Sequence, residues 1–221
     1  MDPPPPPGRH PLATLRRFAR ERAPEERCDL CGAALGPEHH HLLEPASGRL
    51  LCGCDACAVL FDGRADARYR RVPRRVEPWP DIRLTEARWE ELRLPIDLAF
   101  FVPETPPGRA RAFYPSPAGT VASLLPPGAW PSLVAEFPVL GTLEPDVEAL
   151  LVNRVGGQAC FRVPIDECYR LVGLIRAHWR GLSGGLEVWG QVERFFAGLK
   201  HSGRERLVPD LSVPCNGSGE P

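Results

Sequence analysis

Two cysteine pairs, Cys28-Asp29-Leu30-Cys31 and Cys54-Asp55-Ala56-Cys57, bring four thiols near enough along the chain to share one ion. Four thiolates are the donor set of a closed tetrahedral zinc site, and two C-x-x-C elements about 15 to 20 residues apart, or slightly more, are the usual way a small module supplies them. The gap from Cys31 to Cys54 is at the long end of that spacing. Such a site shapes a fold without turning over a substrate, so it identifies a module and only narrows the function. A free-thiol or disulfide arrangement is the competing reading.

The neighbouring residues supply the elements that would position these thiols. Gly32 follows the first pair, where the chain must turn back and a positive φ costs glycine nothing. Ala58 follows the second pair, which makes that knuckle less ideal. Between the pairs, residues 39–43 and 49–52 read as two short strands, and the Pro, Ser and Gly of 44–48 favour a turn between them. The expectation is a zinc-ribbon-like hairpin.

Three further candidate ligands fall in the same stretch. Cys52 and Cys54 share one face of an extended strand by the period-2 rule, and so do His39 and His41. A second metal or a redox role is one reading of Cys52, His39 and His41. The other makes Cys52 a small buried apolar residue and the histidines part of a solvated strand.

Composition bounds the class. The 221 residues suit one or two domains; 43% hydrophobic content suffices for a core and 25% charged is ordinary, so a soluble globular protein is expected. With 27 Lys+Arg against 28 Asp+Glu, no global field draws the chain to nucleic acid or an anionic membrane. The proline run over 1–8 has no apolar signal core, and no segment approaches the ~18 apolar residues a membrane span needs. A cytoplasmic location is the default expectation, and reducing cytosol favours metal ligands over disulfides for clustered cysteines. Cys160 and Cys168 lie in apolar patterns and read as structural, with Cys215 in the tail.

The chain divides into a proline-rich start with a short basic helix over 11–22 (1–23), the four-cysteine module (24–62), an arginine-rich linker (63–84), an α+β domain (85–200) and a polar tail (201–221). Residues 64–75 hold six arginines, which could meet RNA or an acidic partner; without an aromatic platform, a solvated linker is the better reading. Thr85 is a plausible N-cap for a helix over 86–92. Residues 96–102 and 109–114 read as one hairpin, and 147–155 and 158–163 as another about Gly156-Gly157. A helix is expected over 129–137. Asp166 is read as the cap of a helix running to Trp179, with Ile165, Cys168, Val172, Ile175 and Trp179 on its core face. Glycines 181, 184 and 185 break it, and a last helix follows over 186–199. The whole is α+β: the metal module, then a mixed antiparallel sheet domain with C-terminal helices.

Outside the cysteines little suggests catalysis. Neither glycine-rich turn has the lysine and spacing of a phosphate loop, and Ser183 lacks a nucleophile-elbow context. Asp166, Glu167 and His178 could form an acid-base set only if the fold gathers them. No catalytic residue is assigned.

Five strings carry a resemblance: Cys-Asp-Leu-Cys-Gly at 28–32, Leu-Leu-Cys-Gly-Cys-Asp-Ala-Cys-Ala at 50–58, Tyr-Pro-Ser-Pro-Ala-Gly at 114–119, Pro-Asp-Val-Glu-Ala-Leu-Leu-Val-Asn-Arg at 145–154, and Pro-Ile-Asp-Glu-Cys-Tyr-Arg-Leu-Val-Gly-Leu-Ile-Arg at 164–176. From Cys28 to Leu199 the chain resembles a bacterial domain-of-unknown-function family encoded beside actinobacterial-type nickel-iron hydrogenases. The resemblance implies an accessory role, with a hydrogenase subunit or maturation protein as partner, and supplies no reaction. A rubredoxin-like iron site passing single electrons is the alternative; nucleic-acid binding through the arginine-rich stretch is a weaker third. Self-association through the aromatic C-terminal helices is a further expectation, and no membrane partner is expected.

Overall fold

The computed structural model describes residues 26–61, 68–181 and 184–205. The proline-rich start, the helix expected over 11–22 and the tail beyond 205 lie outside the described residues.

The four-cysteine module is built on a hairpin. Strand β1 (His40–Glu44) and strand β2 (Arg49–Gly53) pair antiparallel, with His41 opposite Cys52 and Leu43 opposite Leu50. Gly48, at φ 69°, closes the turn. Helix α1 (Asp55–Leu60) follows. A third strand, β3 (Arg70–Arg71), adds to the free edge of β1, giving the order β2-β1-β3. That strand was not expected, because the stretch reads as arginine-rich linker.

The remaining strands form one antiparallel six-stranded sheet ordered β4-β9-β8-β5-β6-β7. Its members are β4 (Glu77–Pro78), β5 (Leu98–Pro103), β6 (Ala110–Ser116), β7 (Gly119–Ser123), β8 (Glu148–Asn153) and β9 (Ala159–Pro164). Both expected hairpins are present, β5 with β6 and β8 with β9, and β5–β8 pairing joins them. The α+β architecture is as the sequence indicates.

Helices cover both faces of this sheet. On one lie α4 (Ile165–His178) and α5 (Gly185–Glu205); on the other lie α2 (Glu86–Glu91), α3 (Ala129–Glu136) and a 3-10 turn over Pro138–Thr142. Burial on both sides explains why β5 reads as an unbroken apolar run, since every residue of it is buried. The period of two survives in the destinations. Leu98, Phe100 and Val102 enter the α4/α5 core, whereas Ala99 and Phe101 enter the opposite core with Trp89 and Trp130.

Local signals place the helices. Thr85 Oγ1 accepts a 3.2 Å hydrogen bond from the Arg88 amide, as its N-cap position requires. Between α4 and α5, Gly184 has φ 86°, and a Cβ there would stand 2.8 Å from Val188 Cγ1 and 3.1 Å from the Trp179 ring. Only glycine fits that corner.

The four-cysteine module is not a separate bead. Leu43 of β1 and Val72 beside β3 belong to the α4/α5 core, and Leu50 of β2 packs against it. Ion pairs reinforce the seam, and they tie Arg70 and Arg75 of the arginine-rich stretch to the sheet domain. Arg70 Nη1 donates to Asp146 Oδ2 at 3.0 Å, and Arg75 Nη2 donates to Glu148 Oε1 at 2.9 Å. Glu148 is fully buried and also accepts from the Glu144 amide at 2.8 Å. A buried carboxylate is tolerable only with such partners.

Candidate metal centre

The first cysteine pair sits on a tight knuckle. The Gly32 amide donates to Cys28 O at 2.8 Å, the Cys28 amide donates to Ala33 O at 2.8 Å, and Gly32 takes φ 75°. Asp29 fastens this knuckle to the hairpin. Its amide donates to Cys52 O at 2.9 Å, and its Oδ2 accepts from the Cys52 amide at 2.7 Å.

The second pair departs from the expected knuckle. Cys54 is the residue before α1 and Cys57 lies in its first turn, with the Ala58 amide donating to Cys54 O at 2.9 Å. A helical turn needs no glycine after the second cysteine. That accounts for Ala58, which is buried.

The four thiols converge: the Sγ atoms of Cys28, Cys31, Cys54 and Cys57 all lie within 4.8 Å of one another. Cys31 Sγ and Cys54 Sγ are 3.6 Å apart. A tetrahedron with metal–sulfur bonds of about 2.3 Å has edges of about 3.8 Å, whereas a disulfide needs about 2.05 Å. All four are free cysteines, so the spacing fits thiolates around an ion and no disulfide.

Their acidities are split. Burial pushes Cys28 up, but amides of Cys54, Cys31 and Leu30 and the Cys31 thiol more than offset it and bring Cys28 down to about 6. Cys57 is pushed up to about 12 by burial and by the neighbouring thiols. Four sulfurs this close cannot all ionise without a cation among them, and a bound divalent metal supplies that charge.

Cys52, His39 and His41 do not join this cluster; they form a second one. One ring nitrogen from each histidine and Cys52 Sγ lie within 4.8 Å of one another. The faces of the hairpin explain the division. His41, Leu43, Leu50 and Cys52 point toward the α4/α5 core, while His40, Leu42 and Leu51 occupy the opposite face, where His40 Nε2 is 3.1 Å from Asp55 of α1.

Asp166 is not the cap of α4, contrary to expectation. Pro164 holds that position and makes no side-chain cap bond. Asp166 lies in the first turn, and its Oδ2 accepts a 2.7 Å hydrogen bond from His41 Nδ1. Nothing in the sequence marks this pairing, because the partners are 125 residues apart. The acid-base set of Asp166, Glu167 and His178 is not assembled. Asp166 and Glu167 begin α4 while His178 ends it, its Nδ1 bonded to Leu174 O at 3.0 Å.

A family profile matches residues 27–203, from just before Cys28 into the last turn of α5. The chain belongs to DUF5947, a family of unknown function. No curated protein and no solved structure matches it. Membership in DUF5947 thus covers both thiol pairs, the histidine cluster and the sheet domain together. No helix among the described residues is long and apolar enough to cross a membrane.

One apolar pocket in the sheet domain bears on partnership. It measures 240 Å³ and is lined by Ile96, Tyr114, Pro117, Ile175, Trp179 and Trp189 among others. Of the aromatic residues of the C-terminal helices, Trp179 and Trp189 face this pocket half-buried, whereas Phe195 and Phe196 are buried core.

Proposed function

We propose that this protein is a zinc-binding accessory factor of a nickel-iron hydrogenase system, acting in the cytoplasm by protein contact during assembly or maturation. The observation that carries the metal part is the convergence of four free thiols at tetrahedral spacing. Zinc is preferred to iron because such closed four-thiolate sites are commonly structural. The hydrogenase part rests on the resemblance of the strings at 145–154 and 164–176. Two features support contact over turnover. The pocket walled by Trp179 and Trp189 suits an apolar side chain of a partner. Arg70 and Arg75 are paired within the chain, which leaves less positive charge for nucleic acid.

The test is an affinity pull-down from a native host under hydrogenase-inducing conditions, using wild type and Trp189→Ala. Recovery of a hydrogenase subunit or maturation protein by the wild type, reduced in the variant, supports the proposal. A monomer that recovers neither overturns it. Metal analysis with an absorption spectrum decides the ion, since ferric thiolate is coloured and zinc thiolate is not. Iron in that spectrum would select the rubredoxin-like electron carrier.

A further inference from the structure

The hairpin face turned toward α4 carries an unexplained arrangement. His39 is nine-tenths buried, with 10% of its side chain exposed. Its Nδ1 is 3.0 Å from Gly36 O and 3.4 Å from Glu26 Oε2. Both neighbours are acceptor oxygens, so Nδ1 carries the proton and the neutral ring keeps its lone pair on Nε2. That Nε2 is buried and has no hydrogen-bond partner. Leaving a buried polar atom unpaired is costly, so it calls for a ligand.

His41 is oriented in the same way, with a third of its side chain exposed. Its Nδ1 donates to the Asp166 carboxylate at 2.7 Å, which again leaves the lone pair on Nε2. A carboxylate behind an imidazole fixes the ring and raises the basicity of the other nitrogen, as second-shell carboxylates do for metal-bound histidines. Cys52 stands opposite His41 in the strand register, its backbone held on both sides by Asp29. Three elements therefore fix the three donors: the loop before β1, β1 itself and β2.

We propose that His39, His41 and Cys52 form a second, separate metal site for one divalent borderline ion of the zinc class, at the seam between the hairpin and α4. Two imidazoles and one thiolate are a donor set suited to zinc and its neighbours, and unsuited to calcium or magnesium. Three protein ligands leave one position for water or an incoming donor, which makes this ion exchangeable, whereas the four-thiolate site is closed. The ion also bridges modules. Asp166 starts α4, so occupancy of the hairpin site is felt by the helix that covers the sheet.

The test is metal stoichiometry on the full chain, stripped and reloaded with zinc and, as an optical probe, with cobalt. The wild type should bind two equivalents. The double variant His39→Ala/Cys52→Ala should bind one, and Asp166→Ala should weaken the second equivalent about 10–100-fold without changing the first. A wild type that saturates at one equivalent overturns the proposal, as does a double variant that still binds two. Should the double variant fail to fold, wild-type stoichiometry and the Asp166→Ala titration decide alone. An equal loss of both equivalents in Asp166→Ala would mark a general structural defect and would overturn the assignment of Asp166 to this site.

Discussion

His41 Nδ1 donates a 2.7 Å hydrogen bond to Asp166 Oδ2, joining the centre of the N-terminal hairpin to the start of a C-terminal helix. Beside this bond Leu43, two residues along the same strand face, is buried in the α4/α5 core. The hairpin and the sheet domain are therefore coupled by one polar and one apolar contact from a single face of β1, and with the four-thiolate site loaded they should unfold together.

Leu43 tests that coupling. It is 3% exposed, and Leu43→Ala removes core volume at the seam. The expected cost is about 2–5 kcal/mol, read by chemical denaturation as a shifted midpoint of one transition. Two separated transitions in the wild type, with only the earlier one moved by the variant, would show that the modules unfold independently.

Removing the metal should act locally first. Cys57→Ser, or a strong chelator, should release the ion of the four-thiolate site and expose amides of residues 26–61 to hydrogen exchange, while β5 and β8 stay protected. Cys160 and Cys168, both buried and both pushed up in pKa by that burial, should stay unreactive toward alkylating reagents in the folded protein throughout. Full metal retention in Cys57→Ser contradicts the site.

Glu148 is the charge whose loss should hurt most. Its carboxylate holds Arg75 and the Glu144 amide, and Arg162 Nε lies 3.6 Å away with only 5% of that side chain exposed. Arg162 keeps Glu77 at 3.1 Å and Arg75 is half exposed, so Glu148→Ala chiefly leaves the Glu144 amide and the Arg162 Nε side without their buried acceptor, at an expected cost of about 1–3 kcal/mol. Urea unfolding measures it, and a cost below that of an ordinary surface substitution would show that the cluster rearranges.

Glu167 sets a pH dependence. Burial raises its pKa above the usual carboxylate value, and that effect exceeds the lowering by Arg170. The folded state therefore holds its proton to higher pH than the unfolded state does. Its contribution to stability falls as pH rises from the unfolded pKa, near 4.5, through the folded one, and stays at its lower value above that. Glu167→Gln should flatten this part of the stability–pH curve, measured as thermal midpoint between mildly acidic and neutral pH. An unchanged curve would refute it.

Much of this molecule is written locally. Thr85 announces α2, the turn at 44–48 announces the hairpin, and Cys28, Cys31, Cys54 and Cys57 announce a shared ion, because each depends on neighbours a few residues away. The unread parts are those decided across the chain. β7 is a five-residue edge strand that follows two prolines, and β3 and β4 are two residues each among arginines and prolines; partner strands make them, and propensity does not. Asp166 carries a helix-start signature, yet its acceptor is taken up by a histidine of another element. Cys52, His39 and His41 are visible as further candidate ligands, but period two groups Cys52 with Cys54, whereas the cross-strand register sets it opposite His41 and away from the four-thiol cluster.

The separation of His41 and Asp166 along the chain also orders events during synthesis. All four clustered thiols precede residue 58, whereas the helix that receives the hairpin begins at Ile165. At about 5–20 residues per second, the hairpin waits roughly 6 to 25 s on the ribosome between the appearance of His41 and that of Asp166. During that interval the thiols are already available to an ion, while Leu43 and Leu50 have no surface to meet. An ion captured then would hold the nascent knuckle and hairpin in register, so that a preformed edge, and not a loose strand, meets the late helices.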